Sequence, residues 1–258
     1  MRKFSTNWVG LYTFIRREIE RIVRVATQTL ITPWISALLY IFIFGYVVGR
    51  KIELISGVSY IDFVLPGIIM MNVISSAFAH SSSSVYFKRF IRDIEEILIA
   101  PLSYIEMMIG FVTGAVARGV IIACGIYVIA LIFTSATIDN LWLFIFYTTS
   151  VSIIFALLGI LVGLWAKGFE QLNVLNTFVI MPLSFLGGVF YSVTMLPPKL
   201  RILAFWNPFF YFTDGIRYSM IGISEANYIV GLIFIFSSII ILGSLVWVLF
   251  SIGWRLRE

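Results

Sequence analysis

The stretch FVLPGIIMMNVISSAFAHSSSSVYF, Phe63–Phe87, runs for 25 residues without an Asp, Glu, Lys or Arg. A hydrocarbon core about 30 Å thick needs roughly 20 consecutive apolar residues of helix to cross it. The run is continuous and shows no period-two alternation, so it reads as a spanning helix and not as a barrel strand. Working outward, Val25–Gly49, Asn140–Ala166, Gln171–Pro198 and Ala226–Trp254 are also uncharged, and from Met107 up to Asp139 only Arg118 interrupts. The pattern predicts an all-α membrane protein of six transmembrane helices, at about 25–49, 63–86, 104–133, 141–166, 172–193 and 228–251. The fifth is expected to be short, because Gly187-Gly188 and Pro197-Pro198 lie near its end.

Composition agrees. Of 258 residues, 60% are hydrophobic and 12% charged, about half the charge of an average soluble domain. That excludes an ordinary soluble enzyme, a disordered chain and a fibrous repeat. A single cysteine, Cys124, excludes an intrachain disulfide framework and a cysteine-rich metal site. The net charge of +5 marks a membrane side and not nucleic acid. Arg2, Lys3, Arg16, Arg17, Arg21, Arg24, Lys88, Arg89, Arg92, Lys167, Arg255 and Arg257 fall on one side of the six-span layout, against Arg50, Lys51, Lys199, Arg201 and Arg217 on the other. This bias places both termini in the cytoplasm. The first apolar run starts too late for a cleaved signal peptide, and residues 1–258 read as one membrane domain.

Three segments outside the spans are patterned. In residues 4–24, Trp8, Leu11, Tyr12, Ile15, Ile19 and Ile22 recur at helical spacing, with Arg16, Arg17, Glu20, Arg21 and Arg24 largely opposite. This predicts an interfacial amphipathic helix, either a plain anchor or one that also touches a cytoplasmic partner. In residues 87–101, Phe87, Phe90, Ile91, Ile94, Ile97 and Leu98 form a stripe beside Lys88, Arg89, Arg92, Asp93, Glu95 and Glu96, and Pro101 ends the helix. The charges balance, whereas a lipid-binding patch would be polybasic. A protein-docking helix and a solvated connector are the two readings. Residues 190–218 mix aromatics, among them Phe190, Tyr191, Phe205, Trp206 and Phe209, with prolines and Asn207. Two short helices, roughly 199–206 and 208–221, are expected there as a re-entrant or extracellular cap, serving as an aromatic interface belt or as a gate.

Inside the spans, Arg118 is the most costly residue. It lies about 18 Å along the helix from Glu106 and needs protein or water around it. Gly110, Gly114 and Arg118 share one face, which suggests close helix packing or a subunit contact, with substrate contact as the other reading. Gly159 and Gly163 repeat the spacing as a weaker signal. Ser81 and Ser84, in a serine-rich stretch with His80, fit helix packing or a polar pathway. No GxxxxGK[ST] loop, HExxH or cysteine cluster occurs in the sequence, so neither ATP hydrolysis, a catalytic centre nor a metal is assigned to this chain.

Taken together, the segments LPGIIMM (Leu65–Met71), IEEILIAPLSYIEMMIG (Ile94–Gly110) and LGGVFYSVTMLPPKLRILAFWNPFFYFTDGIRYSMIG (Leu186–Gly222) resemble the permease subunit of type-2 ABC exporters over nearly the whole chain. The resemblance implies a homodimer, paired with two copies of a separate ABC ATPase that holds ATP and magnesium. It implies a coupling helix between spans two and three, with Arg92, Asp93, Glu95, Glu96, Pro101 and Leu102 contacting that ATPase. It also implies a pathway lined mainly by spans two and five, where Ser81 and Ser84 lie, and a gate near Phe190, Tyr191, Asn207 and Pro208. The expected cargo is a hydrophobic or amphipathic molecule: a drug, lipid, polysaccharide or lipo-oligosaccharide. An ATP-independent transporter or channel, and an assembly factor without transport, remain as alternatives. The expected location is the inner membrane.

Overall fold

The computed structural model describes residues 7–49, 54–55, 57–135 and 137–256. Arg2, Lys3, Arg50, Lys51 and Arg257, which enter the charge bias above, lie outside them. The elements in chain order are α1 (Trp8–Arg24), α2 (Thr32–Phe42, flanked by π-helical turns Thr27–Ile31 and Ile43–Val48), a two-residue β-hairpin of β1 (Leu54–Ile55) and β2 (Val58–Ser59), α3 (Tyr60–Phe90), α4 (Asp93–Ile99), α5 (Tyr104–Ala130), α6 (Leu141–Trp165), α7 (Phe169–Leu175), a π-helical turn Asn176–Ile180, α8 (Met181–Leu186), α9 (Pro198–Trp206), α10 (Pro208–Ile221) and α11 (Tyr228–Ser251). In the hairpin Leu54 pairs with Ser59 and Ile55 with Val58.

Five helices among the described residues are long and apolar enough to cross a membrane: Thr27–Gly45, α3, α5, α6 and α11. Where the fifth span is expected, at 172–193, the helical run covers 169–186 and stops at Leu186, because Gly187 and Gly188 turn the chain, Gly188 at φ +75°.

The centre of the molecule is α3. A helix that is hydrophobic all round is a buried one, and α3 is covered by α5, α6 and α10. The Ser59 hydroxyl opens it by accepting from the Asp62 amide at 3.3 Å. On its α6 side, a Cβ at Gly159 would stand 2.6 Å from the Phe78 carbonyl oxygen, and one at Gly163 2.7 Å from that of Ser82. The weaker glycine pair of the sequence is thus the contact where two backbones meet. By contrast α2 and α11 keep long apolar faces exposed, including Ile35, Leu39 and Phe42 on α2 and Ile233, Phe236 and Ile240 on α11.

Two expectations change here. First, α1 turns Leu11, Phe14, Glu18 and Ile22 inward, while Trp8, Tyr12 and Ile19 of the predicted apolar stripe are exposed. Its contacts advance in step with α5, where Asn7 meets Glu106, Phe14 meets Gly110 and Glu18 meets Gly114. The two helices therefore lie side by side in the same sense. Second, residues 87–101 are not one helix. α3 continues to Phe90, and α4 starts only after Arg92, which adopts the left-handed conformation at φ 62°. A right-handed helix cannot pass through that residue.

Candidate functional site

The turn and short helix that close α3 form one end of the molecule. Arg89 folds back under the bundle, where its Nη1 donates to the carbonyls of Gly163 and Leu164 at 2.9 and 2.8 Å. A guanidinium suits the exposed carbonyls of a helix C-terminus, so Arg89 caps α6 and is not part of the outward charge set. Lys88 also turns partly inward, to Asp93 Oδ2 at 3.4 Å. Ile94 and Ile97 seat α4 on the core, and Leu102 packs with them and Phe14. What remains outward is Phe87, Phe90, Ile91, Arg92, Glu95, Glu96, Ile99 and Pro101. Of the six predicted coupling residues, Arg92, Glu95, Glu96 and Pro101 are thus exposed, Asp93 is half-buried and Leu102 is buried. Ala100 leaves the helical conformation at ψ 145°, as a residue before proline tends to.

Behind this surface lies a buried ionic cluster. Glu18 of α1 is fully buried. Its carboxylate accepts from the Ser84 hydroxyl at 2.8 Å and lies 3.3 Å from both His80 Nε2 and Lys88 Nζ. Burial alone would push this carboxyl up. The close approach of His80, the charge of Lys88 and the bond from Ser84 outweigh it and hold it below its ordinary value. Arg21, one turn on, donates to the Ser83 hydroxyl at 3.0 Å. Arg118 lies within electrostatic reach of Arg21 and His80, and its buried Nε has no hydrogen-bond partner.

Gly110 and Gly114 make room for this cluster. A Cβ at Gly110 would collide with the Phe14 ring, and one at Gly114 would stand 2.7 Å from His80 Nε2 and 2.8 Å from Glu18 Cβ. The helix received by the predicted glycine face is α1 of the same chain. Ser81 and Ser84 are both buried. Ser84 faces Glu18, and Ser81 lies against α6 at Gly159.

The opposite end is built on the turn after α8. Gly67 follows Pro66 in α3, and a Cβ there would stand 2.7 Å from the Val189 carbonyl oxygen. The Leu65–Met71 and Leu186–Gly222 motifs therefore touch at Gly67. Arg217 of α10 clamps the joint. Its Nη2 donates to the Gly188 carbonyl at 2.6 Å and its Nε to the Phe63 carbonyl at 3.2 Å, while the guanidinium sits 4.0 Å from the Phe63 ring centre. Pro66 lacks an amide proton and so releases the Asp62 carbonyl of α3, next to the Phe63 carbonyl to which Arg217 donates. Tyr60 adds a bond to the Phe190 carbonyl at 2.9 Å.

The predicted gate residues sit around this clamp. Phe190 stacks on Phe44 and Phe185, and the Tyr191 hydroxyl donates to the Leu186 carbonyl at 3.1 Å. Asn207 ties α8 to α10, donating to the Leu183 carbonyl at 2.7 Å and accepting from the Phe209 amide at 3.1 Å. Pro208 occupies the first turn of α10, where its missing amide costs nothing. α9 stays on the surface, with Ile202 and Trp206 exposed, whereas α10 is buried over most of its length.

The sequence reading misses Glu18 and Arg217 as buried charges and leaves Arg118 as the one charge well inside a span. The missed signal for Glu18 is its place in the stripe Leu11, Phe14, Glu18, Ile22. For Arg217 it is a lone base among the aromatics of 209–218.

The architecture is that of a helical membrane protein, and comparison gives its family. Residues 10–221 match the ABC-2 type transporter family, and the chain belongs to it. It is 40% identical over 219 residues to the inner membrane transport permease YadH of Escherichia coli (strain K12), covering 84% of this chain and 85% of that one. It is also 26% identical over 223 residues to nodulation protein J of Rhizobium leguminosarum bv. trifolii, covering 84% and 82%. The apolar helices and these relatives are consistent with a multi-pass inner membrane protein.

Proposed function

We propose that this chain is the permease subunit of an ATP-driven exporter. It acts as a homodimer with two copies of a separate ATPase that hold ATP and magnesium. The observation that carries this reading is the outward face of α4 and its flanking turn. There the exposed apolar side chains Phe87, Phe90, Ile91 and Ile99 are interleaved with Glu95 and Glu96, a surface suited to a protein partner. The left-handed Arg92 holds that face at an angle to α3, and Ile94 and Ile97 fix it to the core. Closure of the ATPases would push on α4, and α3 would carry the movement toward the Gly67–Gly188 joint.

In this reading 169–186 also crosses, as the fifth of six segments. At 1.5 Å per residue it extends about 27 Å, slightly less than the hydrocarbon thickness. Both termini then lie in the cytoplasm, on the α4 side. Phe190, Tyr191, Asn207 and Pro208 border the outer gate. The cargo is hydrophobic or amphipathic, of the drug, lipid or glycan-lipid kind.

The test is co-purification and coupled ATP hydrolysis with the cognate ATPase. Glu95→Lys with Glu96→Lys is expected to weaken both while leaving the permease folded. Unchanged assembly and coupling overturn the role of α4. A second reading, ion-coupled transport without ATP, draws on the buried Glu18–His80 pair. Flux in vesicles that needs a proton gradient and not ATP would favour it.

A further inference from the structure

A cavity of about 480 Å³ opens between α6, α10 and the first turns of α11, within the size range of small-molecule sites. Four tyrosines line it, Tyr147, Tyr211, Tyr218 and Tyr228, and the Asp214 carboxylate lies among them. Two glycines shape the walls. The Tyr147 ring fills the place where a side chain at 215 would stand, and a methyl at Gly231 would rest 3.5 Å from Tyr211.

Asp214 is buried and held in place. The Ser224 hydroxyl and the amides of Glu225 and Ala226 donate to it at 2.7, 2.9 and 3.0 Å. Arg217 is 3.9 Å away, but its other nitrogens donate to the Phe63 and Gly188 carbonyls. Glu225 also lies within reach of Arg217, but its carboxylate turns to the Ser192 hydroxyl and the Val193 amide, outside the lining. Of the described residues that line the cavity, Asp214 is the one that carries a formal charge, and none is basic.

Aromatic rings attract a cation through their faces, and a fixed carboxylate adds to that attraction. An anion gains nothing from either. We propose that the cavity binds an organic cation, an ammonium or a soft lipophilic cation borne on an apolar body. The source is either the amine head of a membrane lipid or a free lipophilic cation. The proposal does not depend on ATP-driven export.

The test uses the purified full chain in uncharged detergent, titrated with tetraphenylphosphonium and with tetraphenylborate, which have the same shape and opposite charge. Saturable binding of the cation only is expected. Equal or stronger binding of the anion overturns the proposal without any variant. Tyr228→Leu removes a half-exposed ring, and Gly231→Leu fills the cavity from α11. Each is expected to weaken cation binding about tenfold, the size of a partly desolvated cation–π contact, with unchanged elution and helical content. Binding that neither variant alters places the cation elsewhere and overturns the site. Added phosphatidylethanolamine, with diacylglycerol as the headless control, separates the sources. Competition by the amine lipid supports a lipid head as ligand, and its absence alongside saturable cation binding supports a free cation.

Discussion

Glu18 brings a carboxylate into the packed contact between α1, α3 and α5, and its partners there are Ser84, His80 and Lys88. Removing one member of a buried pair leaves the other uncompensated, at a cost of about 3 kcal/mol or more. Glu18→Gln is therefore expected to lower the thermal unfolding midpoint in detergent, and by much more than Glu20→Gln on the exposed side of α1. The pH dependence has a definite sign. The Glu18 carboxyl lies below its ordinary 4.5 in the folded chain, so its contribution is complete above that value. It is lost as pH falls through the lowered folded value. Wild type is expected to lose stability there, and Glu18→Gln to show a flatter profile over the same window. A second residue-scale prediction concerns Gly67. A valine there must push away the Val189 carbonyl, with an overpacking cost of about 2 kcal/mol. Gly67→Val is expected to unfold earlier than Gly168→Val, because nothing stands within 4 Å of Gly168 and its φ of −150° is extended backbone that valine also adopts. The reverse order would remove the Gly67–Val189 joint from the account.

Among the elements, α1 is the one whose docking is most sharply testable. Its seat on α5 depends on Gly110 accepting Phe14 and on Gly114 accepting Glu18, and Phe14 meets Phe111 edge to face at 4.9 Å. Gly110→Leu is expected to displace α1 while α3 and α6 stay folded. Hydrogen exchange would then rise across Trp8–Arg24 and stay low in the buried part of α3. Unchanged protection of α1 would contradict the docking. Arg118→Ala belongs to the same element pair. Since Arg118 lies within electrostatic reach of Arg21 and His80 within this chain, its loss is expected to alter α1 protection more than self-association.

At the level of the whole molecule, the exposed apolar faces of α2 and α11 and the six-crossing layout make a joint prediction. Single cysteines at Gly168 and at the α4 turn should react with a membrane-impermeant thiol reagent from the same side. Cysteines at Asn140 and Gly222 should react from the other, in a Cys124→Ser background. A shared side for all four would contradict the layout and the cytoplasmic termini together. The positions are chosen from the bundle itself, because Asn140 donates its amide to the Ser219 carbonyl at 2.9 Å while Arg89 ties the α3 end to the α6 terminus.

How much of this could be read beforehand depends on how local the cause is. Long uncharged runs announce helices because a bilayer admits little else, and the helices of α3, α5, α6 and α11 follow the predicted spans closely. Pro198 and Pro208 announce α9 and α10 at nearly the right bounds, since proline starts helices at their first turn. Arg92 gave no such notice. Its left-handed backbone follows from the turn needed to lay Ile94 and Ile97 back on the core, which no local preference of arginine reveals. The stripe of α1 divides for a related reason: Leu11 and Ile22 turn inward beside Phe14 and Glu18, which Gly110 and Gly114 accept, while Trp8, Tyr12 and Ile19 stay on the outer side.

The sequence by itself determined that this is a helical membrane protein, where most of its long helices lie, and which motifs it shares with ABC-2 permeases. Those features rest on hydrophobic length, proline and glycine, which act within a few residues. Only the tertiary structure decided which charges are buried and with whom. Glu18 with His80 and Lys88, Arg89 on the end of α6, and Arg217 on the Gly188 carbonyl each join residues 29 or more positions apart. A charge enters a low-dielectric interior only where partners from other elements meet it, and that meeting is a property of the fold.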